Sequence, residues 1–363
     1  MPDLADHTAQ QTDTSDTPSE DLHAMTSQPA VTLPTTMCAS GRDVYGDHNV
    51  VTTRTVEVPT PAAHQVLVRV AAAGLDRGVV HILTGLPLLA RLMFGLRRPK
   101  QPTLGMDVAG TIVAVGSDVT DFLVGDEVMG AADGSFAEYA LASPRSLVHR
   151  PADVSAEQAA TATISGITAL EAVVDIGKVQ PGQKVLVTGA SGGVGSFAVQ
   201  IAASLGADVT GVASARNLEA VRRLGASDAV DYRRDDLSGH AGRYDLIIDI
   251  AGRRPVRQMR RLLTPTGTFV IVGGEDGGKV TGGLGRQLRT VLWSPFVRQR
   301  MTFFISTVKR DLVERLAAML ADSTITSAVT GSVDLDGVAG AIERLEAGQS
   351  SGKTVIVVGG EAS

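Results

Sequence analysis

Cysteine is nearly absent: the 363 residues contain one, Cys38. No disulfide can form within the chain, and no multi-cysteine zinc site can be assembled from it. Cys38 lies near the start of the foldable region and reads as a small buried residue. Long apolar runs are also missing. The longest, around Leu86 to Leu96, is broken by Pro87 and Arg91 and is too short to span a bilayer, so no stable membrane insertion is expected. The first 35 residues carry neither Lys nor Arg nor an apolar run, and fit neither a secretory signal nor a transit peptide; the expected compartment is the cytoplasm. A basic surplus is lacking as well. Thirty-three Lys and Arg against 39 Asp and Glu leave a net charge of −6, which argues against nucleic acid as a partner.

What is present is enough apolar residue, 44%, and enough length for two domains of ordinary size. Residues 1–35 are rich in Asp, Thr, Ser, Gln and Pro and read as a disordered tail. From about 36 to 156 short strands dominate. Val51–Val58 and Gln65–Ala71 alternate, Leu104–Val115 is a further candidate, and Gly125–Gly130 and Ser135–Leu141 add two more. Short strands punctuated by Gly and Pro predict a compact, partly closed β domain. Residues 155–177 read as a helix capped by Ser155. Then strands (184–188, 208–213, 228–232, 244–250, 267–273) alternate with helices (193–205, 217–224, 254–263). This alternation predicts a parallel sheet covered by helices, with Phe303–Ser306 as a sixth strand. Helices at 311–322 and 337–346 and a last strand at 353–358 return to the first domain. The expected division is therefore 1–35 tail, 36–156 with 307–363 as one domain, and 157–306 as the other.

The segment that organises the second domain is Lys184-Val-Leu-Val-Thr-Gly-Ala-Ser-Gly-Gly-Val-Gly195. An apolar strand runs into a small-residue turn that opens a helix, the context a dinucleotide fingerprint needs. Ala190 to Gly195 fits G-x-G-x-x-G with Ala in first place. Ser191, Gly192, Gly193 and Val194 are expected to hold a pyrophosphate, which gains from free N–H groups and the positive end of the helix. About 20 residues on, where an NAD-selective site places a carboxylate, the chain has Ser214, Ala215 and Arg216. A hydroxyl and a guanidinium bind a 2′-phosphate with charge-assisted hydrogen bonds, so NADPH is expected over NADH. Gly273 and Gly274 end a parallel strand at its carboxyl edge, where the nicotinamide amide is expected. Between the sheet and the last helices lies 275–300, glycine-rich at first and then basic and amphipathic, which reads as a lid or a dimer contact.

With these residues in view, the chain resembles the medium-chain dehydrogenase/reductase superfamily, in the zinc-free branch of quinone oxidoreductases, zeta-crystallin and reticulon-interacting reductases. The matching segments are Val66–Val70, Leu104–Gly110, Val124–Gly130, Gly134–Tyr139, Ala190–Gly195, Leu224–Tyr232 and Gly352-Lys353. The resemblance implies a Rossmann doubly wound parallel sheet plus a GroES-like, partly closed β-barrel catalytic domain, with the cleft between them and a homodimer as the assembly. It adds Tyr232 to the adenosine-phosphate contacts and Lys353 to the cofactor contacts. It puts Tyr45 near the nicotinamide and Asp76 where the branch usually has Asn, as candidate catalytic groups. Where zinc-dependent members carry Cys and a His-Glu pair, this chain has Asp76, Met106 and Asp107, a poor zinc set; no metal is expected, and His81 has no ligand partner nearby. The expected activity is hydride transfer from NADPH to a small hydrophobic quinone or α,β-unsaturated carbonyl, with segments 86–97 and 275–300 forming the acceptor pocket. Two other readings stay open: an NADP-dependent alcohol dehydrogenase on the same fold, and a protein that binds NADPH without turnover.

Overall fold

In a computed structural model, residues 32–273, 284–294 and 297–359 are described. Most of the expected tail, Gly274 and the glycine-rich start of the basic stretch lie outside them. Two sheets dominate. One is six-stranded and parallel, built from β8 (Lys184–Thr188), β9 (Asp208–Ala213), β10 (Asp228–Asp231), β11 (Tyr244–Asp249), β12 (Leu263–Ile271) and β13 (Arg300–Phe303) in the order β10-β9-β8-β11-β12-β13. This is the doubly wound order of a Rossmann sheet, whose direction of growth reverses between β8 and β11. Helices cover it, so its strands are apolar on both faces: Val185, Leu186, Val187, Ile247 and Ile248 are buried in sequence.

The other sheet is mixed and seven-stranded. It contains β3 (Val66–Leu75), β4 (Asp107–Val115), β5 (Glu127–Ala131), β6 (Tyr139–Ala142) and β7 (Leu147–His149), joined by β14 (Val329–Val333) and β15 (Lys353–Val357). Its order is β14-β15-β3-β4-β5-β7, with β6 also pairing β3. A separate hairpin pairs β1 (Thr36–Gly41) with β2 (Thr52–Glu57). The chain thus leaves the mixed sheet after β7 and returns to it after the parallel sheet is built. Helix Val338–Glu346 buries Val338, Ala341 and Ile342 in the mixed sheet's core. Helix Arg310–Ala321 buries Leu312, Leu316 and Leu320 in a core shared by Met129 and Val148 of the mixed sheet and Val185 and Val187 of the parallel one. The two sheets therefore share one continuous apolar seam.

Several elements differ from expectation. Cys38 is exposed, because β1 turns Met37 and Ala39 inward and the period-2 alternation sends position 38 out. The strand expected from Leu104 begins at Asp107, since Gly105 at φ +97° makes the turn before it. The helix expected over 155–177 is three pieces: Ala156–Ala160, Thr163–Leu170 and a wider π-helical turn at Glu171–Ile176. It breaks where Thr161 Oγ1 donates back to Glu157 O and where Ile164 N–H donates to Asp107 Oδ1 instead of its own helix. The sixth parallel strand is Arg300–Phe303, not Phe303–Ser306: Met301 is the buried residue, and Ile305 is 74% exposed.

Candidate functional site

The glycine-rich turn leaves the carboxyl end of β8 and opens helix Gly193–Ser204. Its shape demands glycine. Gly189 adopts φ +69°, and a Cβ on Gly195 would stand 2.1 Å from Gly189 O. A Cβ on Gly193 would press on Ser165 Oγ at 2.9 Å and Lys353 Cδ at 3.1 Å. No side chain caps the helix at Gly192. Its first N–H groups therefore face the turn, an arrangement suited to an anion. The residues present fit a dinucleotide pyrophosphate.

The rim of this cradle is assembled from distant segments. Ser191 O accepts from Gly352 N–H at 2.9 Å, and Ser191 Oγ accepts from Asn217 Nδ2 at 3.0 Å. Ser214 immediately follows β9, and Arg216 sits in the turn Ala215–Asn217, exposed, with Nη2 donating to Gly348 O at 2.9 Å. Tyr232, at the end of β10, is 37% exposed, and the Arg233 guanidinium lies over its ring at 5.6 Å. Ser191, Ser214 and Arg216 thus stand at one edge, joined through Asn217 and the 348–352 loop. Asn217 was missed from the sequence; a polar side chain one residue past Arg216 was the signal. At the reversal point of the sheet, Thr188 Oγ1 donates to Asp249 Oδ1 at 2.7 Å and accepts from the N–H groups of Ile250 and Ala251. The other Asp249 oxygen pairs with Arg286 at 2.6 Å. Helix Leu284–Trp293, in the basic stretch, is thereby tied to the sheet's carboxyl edge. Gly273 lies next to this point, close enough that a Cβ would meet Ile250 O at 2.0 Å.

A buried polar cluster joins the two sheets. Lys353 starts β15 and is almost wholly enclosed; its Nζ donates to Ser165 Oγ at 3.1 Å and lies 3.5 Å from Asp107 Oδ2. A solvated lysine at a strand start is not what the fold makes of it. Asp107, fully buried at the head of β4, has its carboxyl pushed up from 3.8 to about 7, by burial first and by the like charge of Asp76, with Lys353 opposing. Asp107 was legible only as the replacement of a metal ligand. A lone carboxylate ahead of the apolar run Val108-Ala-Gly was the signal that it is a buried charge. Asp76 caps helix Arg77–Thr84: its Oδ1 accepts from Val79 N–H at 3.2 Å, while its Oδ2 is buried without a partner.

Tyr45 is placed differently from Asp76. Its hydroxyl donates to Gly95 O at 2.7 Å, and the Arg91 guanidinium covers its ring at 4.3 Å. The hydroxyl proton is held by the main chain of segment 86–97. In that segment Leu88, Leu89, Leu92, Met93 and Leu96 are all exposed. His81 Nδ1 faces Leu86 O at 3.1 Å. Among the described residues, no group of three or more His, Cys, Asp or Glu could hold a metal ion, and no single helix is long and apolar enough to cross a membrane.

Comparison with known proteins agrees with this arrangement. Residues 62–152 match the alcohol dehydrogenase GroES-like domain, and residues 224–356 match the zinc-binding dehydrogenase family. The chain is 34% identical over 233 residues to the chloroplast envelope quinone oxidoreductase homolog of Arabidopsis thaliana, covering 59% of this chain and 68% of that protein. It is 29% identical over 351 residues to mitochondrial NAD(P)H oxidoreductase RTN4IP1 of Bos taurus, covering 87% and 88%. The solved quinone oxidoreductase of Coxiella burnetii superposes with a TM-score of 0.77 at 27% identity, over 89% of this chain and 99% of that one. Membership of this family implies a nicotinamide cofactor, which the name of the Bos taurus relative also carries. The chain is an oxidoreductase that belongs to the medium-chain dehydrogenase/reductase superfamily, in its quinone oxidoreductase branch.

Proposed function

We propose that this chain reduces a quinone or an α,β-unsaturated carbonyl with NADPH, without zinc, as a homodimer paired through the free edge at β13. The observation that carries the cofactor choice is the end of β9. Ser214 and the exposed Arg216 follow Ala213 there, and no carboxylate stands at that position to repel a 2′-phosphate. Tyr232 completes the adenosine-phosphate contacts. Gly193 and Val194 hold the pyrophosphate by their N–H groups, with Ser191 and Gly192 beside them; the Gly192 N–H itself donates to Gly189 O and shapes the turn. Gly273 gives the nicotinamide amide close access to the main chain.

When bound, the cofactor supplies the hydride; the protein supplies position and electrostatics. Lys353 brings a positive charge to the first turn of the phosphate-binding helix, and Asp107 and Ser165 are the positioning residues that hold it there. Asp76 Oδ2, buried with no hydrogen-bond partner among the described residues, is the acceptor that takes a hydroxyl hydrogen bond from the cofactor ribose. Tyr45 acts as a positioning residue, because its proton is committed to Gly95 O. The residues at the metal positions of zinc-dependent relatives, Asp76, Met106 and Asp107, do not fit zinc: a thioether and two carboxylates without Cys or His make a weak site. No step is routed through a metal.

The deciding experiment titrates NADPH and NADH into wild-type protein and Arg216→Ala. Loss of a charge-assisted phosphate contact should weaken NADPH binding by roughly 10- to 100-fold and leave NADH within about threefold. An equal loss for both cofactors would reject the phosphate pocket. Turnover of a panel of quinones and enones, unchanged by prolonged chelation, separates this reading from a zinc alcohol dehydrogenase and from a non-catalytic binder.

A further inference from the structure

Between Asp76 and Asp107 the sequence has no carboxylate and five Lys or Arg, in a chain whose net charge is −6. The middle of this window, Gly85–Pro102, is a knuckle pinned from below by three side chains. Arg91 Nε and Nη2 donate to Gly85 O and Thr84 O. The Tyr45 hydroxyl donates to Gly95 O. Arg42, itself 1% exposed, donates to Gln101 O, Pro102 O and Ile82 O. Gly95 at φ +118° makes the sharp turn, where a Cβ would strike Arg98 O at 2.0 Å. The knuckle is therefore a fixed shape.

Its outer face inverts the usual pattern of a surface helix, in which polar side chains face water. Here the polar contacts are spent inward, and Leu88, Leu89, Leu92, Met93 and Leu96 point out, Leu92, Met93 and Leu96 at 67–74% exposure. Arg97, Arg98 and Lys100 border them, exposed, and make no ion pair among the described residues. Elsewhere on the molecule Arg286 pairs with Asp249, and Arg310 with Asp121 and Glu314. A rigid cluster of exposed apolar side chains rimmed by unpaired cations, on an otherwise acidic protein, matches an interface with an apolar interior and an anionic surface.

We propose that the knuckle 85–102 docks this protein peripherally on an anionic lipid bilayer, with Leu92, Met93 and Leu96 entering the headgroup–acyl boundary and Arg97, Arg98 and Lys100 lying at the lipid phosphates. The helix Arg77–Thr84 that leads into the knuckle is the one Asp76 caps, so docking sets the site's Asp76 side close to the bilayer, where hydrophobic acceptors concentrate.

The test is vesicle flotation of the full-length protein, without cofactor or acceptor, so its outcome is independent of the activity proposed above. Phosphatidylcholine vesicles with phosphatidylglycerol should retain about tenfold more protein than phosphatidylcholine alone, with retention falling as salt is raised. Arg97→Gln/Arg98→Gln/Lys100→Gln should erase the preference for the anionic vesicles. Leu92→Ser/Met93→Ser/Leu96→Ser should lower retention on them about tenfold while the thermal transition is unchanged. No retention of wild type, or equal retention of wild type and both variants, overturns the proposal. So does a shift from dimer to monomer in the apolar variant by light scattering, which would make this face a subunit contact.

Discussion

Asp107 illustrates how a single side chain departs from its neighbours. Its raised carboxyl pKa means that between about pH 4 and pH 7 the unfolded chain has released a proton that the folded one still holds. Stability then falls as pH rises through this window, by up to about 1.4 kcal/mol per unit, and levels off above it. Denaturant titrations of Asp107→Asn should lack this slope while the wild type shows it. Tyr45→Phe addresses a different residue. Losing the bond to Gly95 O should cost about 1 kcal/mol in stability and change kcat less than threefold; a hundredfold fall in kcat would return the hydroxyl to the chemistry. Neither placement could be read from the sequence. Tyr45 is followed by a glycine and a loop, and its acceptor lies 50 residues on. The places of Ser191, Ser214 and Arg216 at one edge of the sheet were legible because position after a strand is something local sequence does encode.

At the scale of elements, the strand–turn–helix at 184–204 was readable because one continuous apolar strand and the four small residues Gly189 to Gly192 leave few alternatives. Gly195→Ala should weaken dinucleotide binding at least about tenfold, since a Cβ cannot share space with Gly189 O. Gly340→Ala, in helix Val338–Glu346 with nothing closer than Arg344 Nη1 at 3.5 Å, should instead raise stability by about 0.5–1 kcal/mol. Equilibrium fluorescence titration and thermal melts of the two variants check the contrast. Ser155→Ala removes half of a reciprocal cap with Gln158 and should cost about 1 kcal/mol. What local pattern concealed was the interruption of that same helical region: its Ala-rich face is equally good on either side of Thr161, and the break is dictated by Asp107 capturing the Ile164 N–H. The edge strand β13 was misplaced by a few residues because one buried residue, Met301, marks its inner face.

For the whole molecule, the junction of the two sheets rests on one cation. Lys353 offsets Asp107 across the interface, and removing it would leave a carboxylate enclosed without its partner. Lys353→Met should destabilise the protein by roughly 3 kcal/mol at pH 8 and less at pH 5, where Asp107 accepts a proton; the double variant with Asp107→Asn should recover most of that loss. Chemical denaturation at the two pH values measures it. The alternation of strands and helices announced two sheets, but nothing in the spacing announced a lysine and an aspartate so far apart in the chain meeting in the interior.

That meeting sets an order of events at the ribosome. β15 slots between β14 and β3, and it carries Lys353 to the glycine turn that the chain laid down far earlier. While β15 is still in the exit tunnel, the nascent polypeptide has Asp107 without its countercharge and a glycine turn without Lys353 against it. Translation halted before residue 350 would therefore release a product whose mixed sheet lacks the strand that joins β14 to β3 and whose glycine turn lacks Lys353.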